Sequence, residues 1–312
     1  MSAYGRQRGL TLGRGIRIGI LLAILGALSE ILALLLAMTS ADQGLQPPPD
    51  DVARLAIDAG GLKRTEFLTE DKILIRAEQL GSFDERPIVV VGHGFRRSRR
   101  QGDELARALL REGYAVLLFD FRASGESTGK YTTFGATEGA DIAAAVGYLE
   151  NVLAIPRGHC AFVGFSMGAA AALLRPDAVR DMAAVVAVAP YARLDHSMSA
   201  RTQRFTLLPL DPWYRPATWA FRKVLGFDVA DVAPIDHVAS IAPTPLLLLG
   251  GDRDWRAPPQ ELYALFDAAK EPCEVEILKG HDHAALEDWP ADLVERIVEF
   301  LRRRLPIEDG DR

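Results

Sequence analysis

Read as hydrophobic and polar positions, the chain divides into three stretches. The first is an unbroken apolar run, IGILLAILGALSEILALLLAM, in which Glu30 is the single charge. As a helix, these 21 residues from Ile18 to Met38 extend roughly 32 Å at ~1.5 Å per residue, enough to span a bilayer core. Arg6, Arg8, Arg14 and Arg17 precede the run, and Asp42, Asp50 and Asp51 follow it. The positive-inside rule therefore predicts a single-pass anchor, a basic cytoplasmic flank over 1–17 and an extracytoplasmic main domain. A cleaved signal peptide followed by secretion is the competing reading, with Thr39-Ser40-Ala41 as its small-residue site. Its apolar region should run only about 7–15 residues, which favours the anchor.

The second stretch, 39–62, reads as a linker stiffened by Pro47-Pro48-Pro49, within which Asp50 to Ala59, closed by Gly60-Gly61, has the composition of a short capped helix. The third, 63–305, alternates short β-rich runs with helical segments and leaves a tail over 306–312. IVVV at 88–91, AVLLF at 115–119, AFVGF at 161–165, AAVVAVA at 183–189, PLLLLG at 245–250 and CEVEIL at 273–278 are the runs. Between and after them, helices are predicted near 102–112, 137–150, 167–174, 259–269 and 288–304. This rhythm predicts an α/β domain whose parallel strands are buried on both faces. Residues 63–80 look instead like two amphipathic strands at an antiparallel edge, turning near Glu70-Asp71. Residues 190–244 far exceed the usual connection of about 2–6 residues and read as an insertion. Its aromatics include Trp213 and Trp219, candidates for walling an apolar substrate pocket or for packing the insertion itself.

With 312 residues, 49% hydrophobic and 25% charged, the chain can bury a sizeable core, which excludes disorder. The net charge of −6, with four of the arginines ahead of the apolar run, argues against nucleic-acid binding. Cys160 and Cys273 are the only cysteines and fit neither a disulfide scaffold nor a zinc spacing.

The chemistry concentrates at Gly164-Phe165-Ser166-Met167-Gly168, directly after a predicted strand and before an Ala-rich helix. That is the context of a G-x-S-x-G nucleophile elbow. Small residues on either side let the backbone turn sharply at Ser166 and expose its hydroxyl, while the helix N-terminus favours developing negative charge. His281-Asp282-His283 admits a metal reading as H-x-H, but no second ligand cluster accompanies it. GESTGK at 125–130 lacks the glycine and the Ser/Thr of a phosphate loop. No cofactor and no metal are expected.

With Val91-Gly92-His93-Gly94-Phe95 after the first long apolar strand, and Asp120-Phe121-Arg122-Ala123-Ser124-Gly125-Glu126-Ser127 after the second, the chain resembles the α/β-hydrolase superfamily over roughly 63–305. Ala123 departs from the glycine many members carry. Thr132-Thr133, Gly135, Glu138 and Asp141 look most like the serine-aminopeptidase-like and membrane-anchored esterase branches. The resemblance implies a mostly parallel eight-stranded sheet flanked by helices, with 190–244 as a small helical lid.

It also implies a triad ordered Ser, acid, His along the chain. Asp252 and Asp254 both follow the run PLLLLG, where the resemblance places the acid. The superfamily's pattern G-x-x-D-x-x-x-P, matched by Gly251, Asp254 and Pro258, implies Asp254 as the acid, leaving Asp252 as a turn or capping residue. The superfamily's G-x-x-H spacing from Gly280 selects His283 over His281, which is left as a loop histidine. Backbone amides of Met167 and of Phe95, or of a neighbour, are the implied oxyanion donors, with His93 supporting that loop.

Arg96, Arg97, Arg99 and Arg100 follow the oxyanion loop. They predict either an anionic substrate bound at Arg96 and Arg97 or simply a solvated or lipid-facing surface. The expected function is a membrane-anchored serine hydrolase acting on a small-molecule ester, thioester or lipid-like substrate through an acyl-enzyme. Serine peptidase and acyltransferase are the alternatives on the same fold, and an inactive binding protein is the alternative from another class.

Overall fold

The computed structural model describes residues 50–198, 222, 223 and 226–307. Residues 18–38 lie outside this range, and among the described residues no helix is long and apolar enough to cross a membrane. Trp213, Trp219 and the middle of the expected lid also fall outside it.

Eight strands form one sheet in the order β1-β2-β4-β3-β5-β6-β7-β8. They are β1 (Leu62–Leu68), β2 (Leu74–Leu80), β3 (Ile88–Gly92), β4 (Ala115–Phe119), β5 (Cys160–Phe165), β6 (Ala184–Val188), β7 (Leu246–Gly251) and β8 (Cys273–Leu278). β1 pairs antiparallel with β2, and β2 antiparallel with β4; every other pairing is parallel. Each residue of β3 to β7 is buried, because helices cover both faces, and this is why those strands read as unbroken apolar runs. At the β1 edge only Phe67 is buried, so its sequence alternates with charge.

The flanking helices are α1 (Asp50–Asp58), α2 (Asp103–Glu112), α3 (Gly139–Asn151), α4 (Met167–Leu174), α5 (Pro176–Val179), α6 (Pro259–Ala268), α7 (His283–Glu287) and α8 (Ala291–Arg304). Two apolar layers result. Phe119, Phe162 and Leu248 join α3 and α4 on one face, while Val91, Val163 and Leu249 join α2 and α8 on the other.

Four expectations change. The stretch expected as linker 39–62 contributes to the domain from residue 50 onward, because α1 buries Val52 and Ala56 in the second layer and Asp51 pairs with Arg107 across the contact. The domain also extends two residues into the expected tail, since Ile307 packs on the same layer. The helix expected near 288–304 starts at Ala291 as α8, and a separate short helix, α7, precedes it, the two parted where Trp289 takes φ +53° before Pro290. The insertion is also not a free lid at its ends. Three 3₁₀ turns (Val229–Asp231, Pro234–Asp236 and Val238–Ser240) lead back to the sheet, with Val238 and Ile241 in the core. Leu194 N–H donates to the Val232 carbonyl at 2.9 Å, so the outgoing and returning stems are bonded to each other.

Candidate active site

The C-terminal ends of the parallel strands bring the proposed groups together. Ser166 lies between β5 and α4 with φ +49° and ψ −107°, a conformation that costs a non-glycine residue about 1–3 kcal/mol. Packing on both sides holds it there. A Cβ at Gly164 would sit 2.6 Å from the Ala169 nitrogen, and one at Gly168 would sit 2.6 Å from the Gly92 carbonyl oxygen. The two glycines thus let α4 close onto β5 and onto the end of β3. Ser166 N–H donates to the Val188 carbonyl at 2.8 Å, tying the turn to β6.

His283 opens α7, whose N-cap Asp282 accepts from Ala285 N–H at 2.9 Å. The imidazole Nε2 is 3.0 Å from Ser166 Oγ, and Nδ1 is 2.6 Å from Asp254 Oδ2. With Nδ1–H donating to the carboxylate, Nε2 is left to accept from the serine hydroxyl. Asp254 is buried, and its other oxygen accepts from Arg256 N–H at 2.8 Å and Ala257 N–H at 3.0 Å. These bonds fix the carboxylate toward the ring.

Asp252 instead accepts from Gly280 N–H at 2.7 Å, fastening the loop after β7 to the loop after β8. His281 pairs with Asp292 at 2.8 Å, away from the serine. The nitrogens of the H-x-H pair are therefore committed to different partners, which does not suit a shared metal.

Phe95 and Met167 both line the pocket beside Ser166 and His283. Met167 is the first residue of α4, so helix geometry gives its N–H no intrahelical acceptor. The Phe95 loop is held by Gly94 N–H donating to Gln101 Oε1 at 2.7 Å, and the Gln101 carbonyl accepts from Trp289 Nε1 at 2.6 Å. His93 is buried: Nδ1 is 2.8 Å from the Gly94 carbonyl and Nε2 accepts from Phe121 N–H at 3.0 Å. Both nitrogens are thus engaged by backbone, and burial pushes the ring's pKa down, so it braces the loop as a neutral group.

The arginine run does not behave as one patch. Arg99 is buried and ion-paired with Glu78, Asp120 and Glu126, and Arg100 bonds Glu78. These two guanidinium groups compensate carboxylates inside the fold, which corrects the idea that all four could crowd the mouth. Arg97 pairs with Glu287 of α7, and neither Arg96 nor Arg97 is among the pocket's lining residues. Among the described residues, the guanidinium that lines the pocket is that of Arg256, near the Trp255 ring.

Sequence reasoning missed Phe134, Tyr191, Trp255 and Arg256, all of which line the site. For Trp255 and Arg256 a signal existed: residues one and two beyond the acid share its loop. Ala123, the departure from the family pattern, takes φ +53°, the conformation that makes glycine common there.

A family model described as serine aminopeptidase, S33 (Hydrolase_4) matches residues 84–225, which include Ser166 but neither Asp254 nor His283. The crystal structure of the Pyrococcus furiosus esterase Pf2001 superposes with a TM-score of 0.65 at 28% identity, covering 84% of this chain and 97% of the esterase. The chain has the α/β-hydrolase fold. Its sheet order and flanking helices are those of that fold, which a more distant α/β hydrolase, GrgF of a Penicillium species, shares at 20% identity and a TM-score of 0.61 over 78% of this chain and 99% of GrgF. In sequence it is similar to the uncharacterized protein YqkD of Bacillus subtilis, 26% identical over 212 residues, which cover 67% of this chain and 69% of YqkD.

Proposed function

We propose that the protein is a serine hydrolase that cleaves carboxylic esters or thioesters through an acyl-enzyme. The observation that carries this reading is the continuous hydrogen-bonded line from Ser166 Oγ through His283 to Asp254, at 3.0 and 2.6 Å, with the serine held at a strained turn. Ser166 Oγ attacks the carbonyl carbon while His283 Nε2 takes its proton, and the carbonyl π pair moves onto oxygen. Collapse of the tetrahedral species breaks the bond to the leaving alcohol or thiol, which His283 protonates. Water then repeats the sequence on the acyl-serine. Asp254 keeps the ring in the tautomer that can accept and stabilises the imidazolium as it forms.

Amides of Met167 and Phe95 are the proposed oxyanion donors, and removing such a donor costs about 2.7–4 kcal/mol in comparable sites. Among the described lining residues none is Asp or Glu, which supports an ester substrate over a peptide whose amino terminus needs a carboxylate partner. The similarity to the Pyrococcus esterase points the same way. Anchoring through 18–38, with a small-molecule or lipid-like ester as substrate, remains a proposal from sequence, tested by carbonate extraction of membranes carrying the full-length protein.

Fluorophosphonate labelling with peptide mapping tests the nucleophile whatever the natural substrate is. The expected result is one labelled peptide containing Ser166, with labelling lost in Ser166→Ala. A folded protein that takes no label overturns the hydrolase reading in favour of a binding protein.

A further inference from the structure

Phe134 carries φ +58°, where a bulky side chain is a genuine outlier, and Gly135 follows at φ +114°. The surroundings over-determine this turn. Glu138 is fully buried just ahead of α3, and its carboxylate accepts from Thr132 Oγ1 at 2.8 Å, Thr133 N–H at 2.6 Å, Thr133 Oγ1 at 2.6 Å and Gly135 N–H at 2.8 Å. Donors on both sides of Phe134 therefore converge on one carboxylate. From the opposite side the Tyr191 hydroxyl donates to the Phe134 carbonyl. The ring stacks on Phe95, with centroids 4.1 Å apart and planes 20° from parallel, and it lines the pocket. Glycine or asparagine would hold such a turn at lower cost, so a phenylalanine here calls for a reason in the pocket rather than in the backbone.

We propose that Phe134, positioned by Glu138 and Tyr191, is the residue that limits acyl length, so that the preferred substrates are esters of short acids. This rests on the hydrolase reading above. His283 must protonate the leaving group, which places the alcohol half of the ester beside the imidazole. A ring stacked on the loop proposed to receive the carbonyl oxygen therefore borders the acyl half.

The test compares kcat/KM for 4-nitrophenyl acetate, butyrate and octanoate with the full-length protein, Phe134→Gly and Glu138→Gln. Glycine removes the ring and also tolerates the positive φ, which separates pocket shape from backbone damage. The octanoate-to-butyrate ratio is expected to rise at least tenfold in Phe134→Gly and to move the same way, by less, in Glu138→Gln. A merely structural role for Glu138 would lower kcat on every ester alike and leave the ratio fixed.

A Phe134→Gly ratio within twofold of the starting protein overturns the proposal. So does a gain confined to a series of butyrate esters with lengthening alcohols. Calorimetric binding of butyrate and octanoate to Ser166→Ala, with and without Phe134→Gly, reads the same wall without turnover. There a tenfold gain for octanoate supports the proposal and equal binding overturns it, whereas absence of ester turnover and of phosphonate labelling counts against the hydrolase reading alone.

Discussion

Gly168→Ala tests how the nucleophile turn and the oxyanion loop depend on each other. The added Cβ would lie 2.6 Å from the Gly92 oxygen, 2.8 Å from the His93 oxygen and 2.9 Å from the Gly92 carbonyl carbon. Close C···O approaches in proteins stop near about 3.3 Å, so roughly 0.7 Å of separation is needed. All three neighbours are backbone, and β3 cannot yield because it is paired on both sides, to β4 and β5. The first turn of α4 must therefore move away from the loop that carries Phe95. Overpacking of this kind costs about 1–3 kcal/mol, and a shift near 1 Å in a catalytic constellation costs about 10²-fold in rate. The expected outcome is a kcat lower by about 10²–10³-fold on 4-nitrophenyl acetate with little change in KM, and a thermal midpoint lower by about 2–4 °C per kcal/mol. Gly147→Ala is the control, since its Cβ meets nothing nearer than Asn151 Nδ2 at 3.6 Å inside α3, and it should stabilise by about 0.5–1 kcal/mol. A Gly168→Ala protein that keeps both its rate within threefold and its melting temperature would refute the proposed coupling.

Arg99→Ala leaves the fully buried Glu78 and Asp120 without their shared partner and should cost about 3–5 kcal/mol in urea unfolding; a loss below about 1 kcal/mol would show that water replaces the guanidinium. Burial pushes Asp103 up from 3.8 to about 7, against the nearby Arg100 guanidinium. Between those two values the folded state holds a proton that the unfolded state releases, so this group's contribution to stability is lost as pH rises and levels off above about 7. Asp103→Asn should flatten that part of the urea-midpoint profile from about pH 4 to 8, and an unchanged profile would contradict it. His281→Ala removes only a partly exposed pairing with Asp292 and should keep kcat/KM within threefold, whereas a hundredfold loss would move the role of base to His281.

The strands were legible because burial on both faces leaves an unmistakable apolar run, and β3 to β7 fall within a residue or two of the runs that mark them. Ser166 was legible because a sharp turn calls for glycine on either side of it, and Asp254 and His283, now joined to it by hydrogen bonds, because the superfamily's spacings fall on them. The pocket wall was not. Phe134 reaches it through a positive φ that its own side chain disfavours and that depends on a carboxylate four residues on, which no local propensity encodes. Arg99 and Arg100 misled for the converse reason: a run of like charge reads as solvated surface unless the matching carboxylates, Glu78 and Asp120, can be placed beside it. The docking of α1 was half visible, as a helix by composition but without a sign that Val52 and Ala56 had a partner surface.

The bonded stems of the insertion bear on how this protein can change. Besides the contact between Leu194 and Val232, Ile235 N–H donates to the Ala192 carbonyl at 3.1 Å, and Tyr191, Leu194, Val229 and Val232 pack together. The two described stems thus meet at one closed junction. Changing the length between such fixed ends is thermodynamically cheap, about 0.6 kcal/mol for each doubling. Below the junction, Ser166, Asp254 and His283 draw their positions from β5, β7, β8 and the loops tied to them. Residues 199–226 can therefore be exchanged as a cassette, by evolution or by design, while Ser166, Asp254 and His283 stay in register.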